Sequence, residues 1–167
     1  MQQATYDQHA THFFQKMTKG GVLLTTQHEG KANTMTMGWG SLGFYWGKPV
    51  VTVPVRVSRF THRQLAQSGV FTLSVPQGDE LAQALGFCGS KSGRDMDKIQ
   101  AAGLTLLPGR KVDCPVIAEG WLHLECKVAS QHTLSADILS ADIDSKIYGG
   151  QDYHTLFMGE IVDCYTK

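Results

Sequence analysis

The chain has 167 residues, of which 42% are hydrophobic and 18% charged, and its formal net charge is zero. This length predicts one domain over residues 1–167 with a sizeable core, and the lack of a basic surplus argues against a nucleic-acid binder. No apolar run is long enough for a membrane span and no secretory leader is evident, so we expect a cytoplasmic protein without membrane contact. The four cysteines form no CxxC pair and match no zinc spacing, which favours reduced thiols and no metal site.

The first third of the chain predicts one helix and three strands. The helix is expected over 5–18, with Phe13, Phe14 and Met17 on its buried side and two glycines at its end. Strands are expected at 22–28, 32–41 and 49–56. Because proline cannot donate a ladder hydrogen bond, Pro54 should lie at a sheet edge or a bulge.

The remainder alternates short helices with strands. A helix is predicted over 61–69, with Thr61 as its N-cap and Gly69 just past its end, and further helices over 79–89 and 94–103. Strands are expected at 70–76 and near 104–107, 121–133, 136–143 and 154–165. Most connections are too short for parallel crossovers, so six or seven strands should form an antiparallel, barrel-like sheet with helices outside.

The strand "ANTMTMGWGS" (32–41) offers polar groups on both faces. Its alternation places Thr34 and Thr36 on one side and Asn33, Met35 and Trp39 on the other. The threonine hydroxyls could bind one ligand, or the strand could simply belong to the core, where aromatic residues usually lie. Alternation alone does not say which side would face a ligand.

The stretch "RVSRFTH" (56–62) combines cations and hydroxyls at a predicted helix start. A helix N-terminus offers free N–H groups and a partial positive charge. Together with Arg59, Ser58 and Thr61 these groups make a plausible phosphate pocket. The alternative is an ordinary capped helix with two solvated arginines.

Two further stretches could contact a ligand. "CGSKSGRDMDK" (88–98) could fold over a ligand with Lys91, Arg94 and Lys98, or it could be a flexible surface loop. Cys88 in it could be a reactive thiol, although a buried, inert cysteine is commoner. His154 opens the last strand, where it could donate a proton to a substrate or be an ordinary surface histidine.

Four stretches in register resemble one family. "NTMTMGW", "PVVTVPVRVSRFTHRQLAQSGVFTLSVP", "CGSKSGRDMDKIQAAGLT" and "DYHTLFMGEIVD" are similar to the flavin reductase-like proteins of the FMN-binding split-barrel class, in the family's order from about residue 18 to the end. The resemblance implies a mainly β fold, a six-stranded antiparallel Greek-key split barrel with a few peripheral helices. It also implies a homodimer with FMN bound near the subunit interface.

The resemblance also assigns roles to individual residues. The flavin ring and ribityl chain would be lined by Asn33, Thr34, Met35 and Thr36. Val55 and Arg56 would approach the flavin largely through their backbone, and the phosphate would be held by Ser58, Arg59 and Thr61. The glycine-rich loop would cover the ring with Cys88, Gly89, Lys91, Ser92 and Arg94. His154 would be the catalytic residue that faces the nicotinamide of NADH or NADPH.

One departure from the family pattern leaves two functions open. Reductases of this class usually read Gly-Asp-His, whereas this chain reads Gln151-Asp152-Tyr153-His154, which resembles the flavoredoxin-like branch. The leading expectation is an oxidoreductase that passes electrons from NADH or NADPH through FMN to an acceptor. The alternative is an FMN electron carrier that a redox protein partner reduces. A split barrel for haem or pyridoxine phosphate is a third reading, against which the glycine-rich loop argues.

Overall fold

One antiparallel sheet dominates the computed structural model, which describes residues 1 to 167. Its eight strands are β1 (Gln2–Gln3), β2 (Val22–His28), β3 (Lys31–Met37), β4 (Ser41–Tyr45), β5 (Lys48–Arg56), β6 (Val70–Val75), β9 (Leu122–Thr133) and β10 (His154–Thr166). They pair in the order β3-β2-β6-β9-β10-β5-β4, and β1 joins β10 beside this path. Two short strands, β7 (Leu106–Leu107) and β8 (Val116–Ile117), form a separate ladder. The mainly β, split-barrel fold class is confirmed, although the sheet has eight strands instead of six.

The core explains why the strands form where they do. In β5, Val51, Val53 and Val55 are fully buried, while the residues between them are half-buried. This period of two is what a strand with one face on the core requires. Pro54 pairs with Leu156 of β10 on one side of β5. On the other side it has no partner, because the pairing of β4 with β5 ends at Thr52. The predicted edge position of this proline is therefore confirmed, and the half-buried face of β5 is open to a site.

The helices lie outside the sheet and are short. They are α1 (Ala10–Thr18), α2 (Phe60–Ser68), α3 (Ala82–Ser90), α4 (Lys98–Ala101) and α5 (Ala141–Ile143), which continues into a π-helix over Asp144–Tyr148. Gly69 ends α2 in the left-handed conformation, as predicted. None of the helices combines the length and the apolar character that a bilayer span needs.

Several predictions of local structure were wrong. The strand expected at 32–41 ends at Met37, and Phe14, expected on the buried side of α1, is 38% exposed. The strand expected at 136–143 is instead a 3-10 turn (Ala136–Ile138) followed by α5, and Ile138 and Ile143 are exposed. The helix expected over 94–103 is only the single turn α4, which the Asp97 carboxylate caps by accepting from two backbone N–H groups. Thr61 lies inside α2, whose N-cap is Arg59.

Candidate functional site

Two adjoining pockets form a groove along β3. The first, about 170 Å³, lies between β3, the start of α2 and the glycine-rich segment after α3; we call it the cationic pocket. The second, about 240 Å³, lies between β3 and the ends of β5 and β10; we call it the ring pocket. Met35, Thr36 and Arg59 line both pockets, so one elongated ligand could occupy them together.

The cationic pocket carries charge of one sign. Its lining includes Arg59, Lys91, Arg94 and Lys98 and contains no aspartate or glutamate. The first residues of α2 also line it. Cations beside a helix N-terminus favour an anion such as a phosphate.

Lys98 is the unusual member of this set. It is 4% exposed, and its Nζ donates one hydrogen bond, to the backbone oxygen of Cys88 at 3.0 Å. No carboxylate pairs with it. Burial lowers the pKa of the Lys98 ammonium, and the nearby Arg59 acts in the same direction. A buried ammonium with a single carbonyl partner is a group that a bound anion would stabilise.

The segment 91–97, which we call the strap, crosses the cationic pocket. Arg94 Nη2 donates to the backbone oxygen of Ser58 at 3.1 Å. Gly93 lies directly against the Asn33 side chain, and a Cβ at this position would collide with the side-chain oxygen of Asn33. Asn33 Nδ2 in turn donates to Thr61 Oγ1 at 2.8 Å. The hydrogen bond between Asn33 and Thr61 therefore fixes the Asn33 side chain, against which Gly93 of the strap packs.

The ring pocket places a neutral histidine beside flat and apolar side chains. It is lined by Met35, Thr36, Met37, Gly38, Trp39, Pro54, Arg56, Arg59 and His154. The His154 ring centroid lies 5.0 Å from that of Trp39, and its Nδ1 lies 2.9 Å from the Tyr148 hydroxyl. Burial, helped by the charge of Arg56, lowers the pKa of His154 to about 4. The imidazole is therefore uncharged at neutral pH.

Asp152, which precedes β10, connects that strand by hydrogen bonds to the segment between β5 and α2. Its carboxylate accepts from the Ser58 backbone N–H at 2.9 Å and from the Ser58 hydroxyl at 2.8 Å. Arg56 donates to the backbone oxygens of Asp152 and Ile147, at 2.9 and 3.0 Å. Partial burial alone would raise the pKa of the Asp152 carboxyl, but the Ser58 hydrogen bonds and the charge of Arg56 outweigh it and lower that pKa.

The structure brings most of the predicted residues to the groove. The cationic pocket is lined by Met35, Thr36, Ser58, Arg59, Thr61, Cys88, Gly89, Lys91, Ser92 and Arg94. Arg56 and His154 line the ring pocket. The Cys88 residue is 1% exposed, and burial raises the pKa of its thiol, which disfavours the reactive thiolate.

Several expectations for individual side chains need correction. The Thr34 hydroxyl donates to the Leu24 backbone oxygen at 3.2 Å in the buried interior and does not reach the groove. The Thr36 hydroxyl donates to the backbone oxygen of Leu85 at 2.6 Å. The Val55 side chain is fully buried in the core, so the expected approach of Val55 to a flavin through its backbone stays a prediction. The Ser58 hydroxyl, expected on a phosphate, instead donates to the Asp152 carboxylate. The Thr61 hydroxyl accepts from Asn33 Nδ2 and keeps its own O–H available for a ligand.

Sequence reasoning did not assign Pro54, Tyr148 and Asp152 to a site or recognise that Lys98 is buried. The basic cluster with Lys91 and Arg94 was the one signal for Lys98. Strand pairing brings Pro54, Tyr148 and Asp152 to the groove, because the pairing of β10 with β5 begins with His154 opposite Arg56. That pairing carries the whole 147–154 stretch to the groove.

Comparison with known proteins gives one consistent result. A flavin reductase-like domain model matches residues 14–167. An uncharacterized protein of Pyrococcus abyssi is 30% identical over 140 residues, which cover 84% of this chain and 69% of that protein. The flavoredoxin of Desulfovibrio vulgaris (Miyazaki F) superposes with a TM-score of 0.70 at 26% identity, covering 88% of this chain and 69% of the other. A flavoredoxin from Methanosarcina acetivorans gives 0.68 at 28% identity, covering 89% and 68%.

Proposed function

The chain belongs to the flavin reductase-like domain family, and we propose that it is an oxidoreductase that binds FMN in the groove. It would pass electrons from NADH or NADPH through the flavin to an acceptor. The observation that carries this proposal is the groove itself, in which a pocket of four cations without an acid continues into a pocket suited to a flat ring.

The phosphate of FMN fits the cationic pocket. Arg59 and Lys98 are the principal ligands in this proposal, because Arg59 sits at the N-cap of α2 and Lys98 lacks a counter-ion. Lys91 and Arg94 add charge from the strap. Ser58 does not bind the phosphate in this proposal. Its N–H and hydroxyl donate to Asp152 and so connect the start of α2 to the segment before β10.

The isoalloxazine fits the ring pocket. Met35 and Thr36 would lie along it, and Trp39, which is 50% exposed, would cover part of one face. A bound flavin supplies the redox chemistry, taking up two electrons and returning them to an acceptor. The chain's own task is to orient the ring, limit access of water and keep His154 uncharged beside the reacting edge. His154 would then offer a hydrogen bond to the nicotinamide.

An electron carrier without a nicotinamide site is the second candidate. Two solved structures to which the chain is similar at 26% and 28% identity are flavoredoxins. Tyr153, which departs from the reductase pattern, donates its hydroxyl to Asp144 Oδ1 at 2.6 Å, and its ring packs on Tyr148, the hydrogen-bond partner of His154. In this case a redox protein partner would deliver the electrons.

We also propose that the protein is a homodimer. The hairpin that joins β4 to β5 exposes Phe44, Tyr45 and Trp46, at 65%, 51% and 62%. Three adjacent exposed aromatic residues on an edge strand are typical of an interface between proteins. The molar mass in solution, measured by light scattering, tests this proposal.

The absorbance spectrum of the purified protein tests the proposed function. A flavin spectrum that bleaches when NADH or NADPH is added without air would support the oxidoreductase. A flavin spectrum that stays unchanged with both nucleotides would favour the carrier. A colourless protein that takes up no added FMN would overturn both candidates.

A further inference from the structure

The chain folds back on itself between Tyr148 and His154. A π-helix ends at Tyr148, and the residues that follow include Gly149, Gly150 and Asp152 with φ values of 60°, 79° and 50°. Left-handed backbone at three of four consecutive positions reverses the chain tightly. As a result the Tyr148 hydroxyl lies 2.9 Å from Nδ1 of His154, six residues later.

This arrangement is held from several directions. The Arg56 guanidinium bonds to the backbone on both sides of the turn, and its charge lies 5.2 Å from the centroid of the Tyr148 ring. The Tyr153 ring packs on the other side of Tyr148, with ring centroids 4.9 Å apart. Tyr148 is 8% exposed. Its hydroxyl is therefore fixed in place and has His154 as its sole hydrogen-bond partner.

The chemistry of the pair decides which group donates. A phenol O–H is a stronger donor than the N–H of a neutral imidazole, and an imidazole nitrogen is a stronger acceptor than a phenol oxygen. The nearby Arg56 cation further favours donation by the phenol. Nδ1 then accepts from Tyr148, and the single proton of the neutral ring resides on Nε2. Nε2 has no hydrogen-bond partner within the chain, and His154 lines the ring pocket.

We infer that Tyr148 is a positioning residue that holds His154 in the tautomer with its proton on Nε2, so that the ring pocket presents an uncharged N–H donor. Such a donor selects a ligand with an acceptor oxygen next to the flavin, namely a carbonyl or carboxamide oxygen. The tautomer follows from the geometry of the pair and the relative donor strength of its two groups, while the ligand class rests on the proposed function. Arg56, Arg59 and Asp152 are the charged groups nearest to this donor.

The tautomer can be measured without flavin or nucleotide. We would record ¹⁵N spectra of the labelled full chain at pH 7 and assign His154 by the signal missing from His154→Gln. The wild type should show Nε2 protonated, and Tyr148→Phe, which keeps the ring but loses the hydroxyl, should populate both tautomers. Tyr153→Phe is the matched control, since its hydroxyl bonds Asp144 and its loss should leave the His154 signal unchanged.

The inference fails if wild-type His154 carries its proton on Nδ1, or if Tyr148→Phe keeps the wild-type tautomer. The wild-type spectrum decides even if Tyr148→Phe does not fold. With FMN bound, Tyr148→Phe should slow flavin reduction by NADH or NADPH about five- to tenfold. A wild type that neither nucleotide reduces would overturn the proposed oxidoreductase, while the ¹⁵N result would still decide the tautomer.

Discussion

Replacing Lys98 with methionine should weaken FMN binding and stabilise the flavin-free protein. Methionine has a similar length but carries no charge and no donor. Lys98 is 4% exposed, and its Nζ contacts only the Cys88 backbone oxygen, at 3.0 Å. The empty fold therefore keeps an ammonium away from water without a counter-ion, which is a net cost.

The two effects can be sized separately. A charge-assisted hydrogen bond to a phosphate contributes about 1.5–3 kcal/mol, so its loss should raise the Kd for FMN about 10- to 150-fold. In the flavin-free protein the relief of desolvation exceeds the lost bond to the Cys88 oxygen. If the net gain is about 1 kcal/mol, Tm rises by about 2–4 °C for a chain of this size.

Flavin fluorescence titration and thermal unfolding, each with and without FMN, measure both effects. Lys91→Met is the matched control, because Lys91 lines the same pocket but is exposed and makes no side-chain hydrogen bond. It should change the Kd less than about fivefold and leave the flavin-free Tm unchanged. Equal Kd changes in the two variants would refute a special role for Lys98. A lower flavin-free Tm in Lys98→Met would refute the desolvation argument.

Three further predictions test the rest of the site. Gly93→Ala should displace the strap, because its Cβ would collide with the Asn33 side chain, and should weaken FMN binding in the same titration while lowering Tm. Between pH 6.5 and 4 the unfolding free energy of wild type should fall by about 2 kcal/mol more than that of His154→Gln. The reason is that His154 takes up a proton in the unfolded chain near its ordinary pKa, whereas buried His154 in the fold takes it up only near pH 4. Urea midpoints that fall equally in the two proteins over this range would contradict it. The lowered pKa of Asp152 stabilises the fold above the carboxyl's ordinary pKa of 3.8, and this contribution is lost as the pH falls through the lower folded value. Asp152→Asn should therefore be less stable than wild type at pH 7, with a difference that shrinks in acid, as urea unfolding at both pH values would show.

The bounds of some strands were predictable from the sequence almost to the residue. The strand at 22–28 has the predicted bounds, and the last strand ends one residue later than expected. The segment 136–143 was wrongly predicted as a strand because its larger apolar residues, Ile138, Leu139 and Ile143, are interspersed with polar ones. A strand needs a neighbour to pair with and a core to cover, and here both isoleucines are exposed while Ser140 Oγ accepts from the Ile143 N–H at the start of α5.

The types of residue in the site were predictable, but their hydrogen-bond partners were not. Whether a hydroxyl is free for a ligand depends on distant contacts, and Ser58 is bonded to Asp152, 94 positions along the chain. Thr61 likewise has a distant partner, because its Oγ1 accepts from Nδ2 of the strand residue Asn33. Local sequence carries propensity and periodicity, whereas these pairings arise only when β10 and β3 reach their places in the sheet.

The two ends of the groove differ in how their charges are balanced, and this difference suits the proposed function. At the ring pocket, Arg56 is compensated by Asp152 and by two backbone oxygens, and the histidine is neutral. At the cationic pocket, four cations face one another without an acid, and one of them is buried. Like charges so arranged raise the free energy of the empty fold, and an anion that enters relieves it. Binding energy is thus concentrated on the phosphate. At the far end of the ring pocket, where Arg56 is balanced, a hydrogen bond from the uncharged His154 can distinguish one ligand from another.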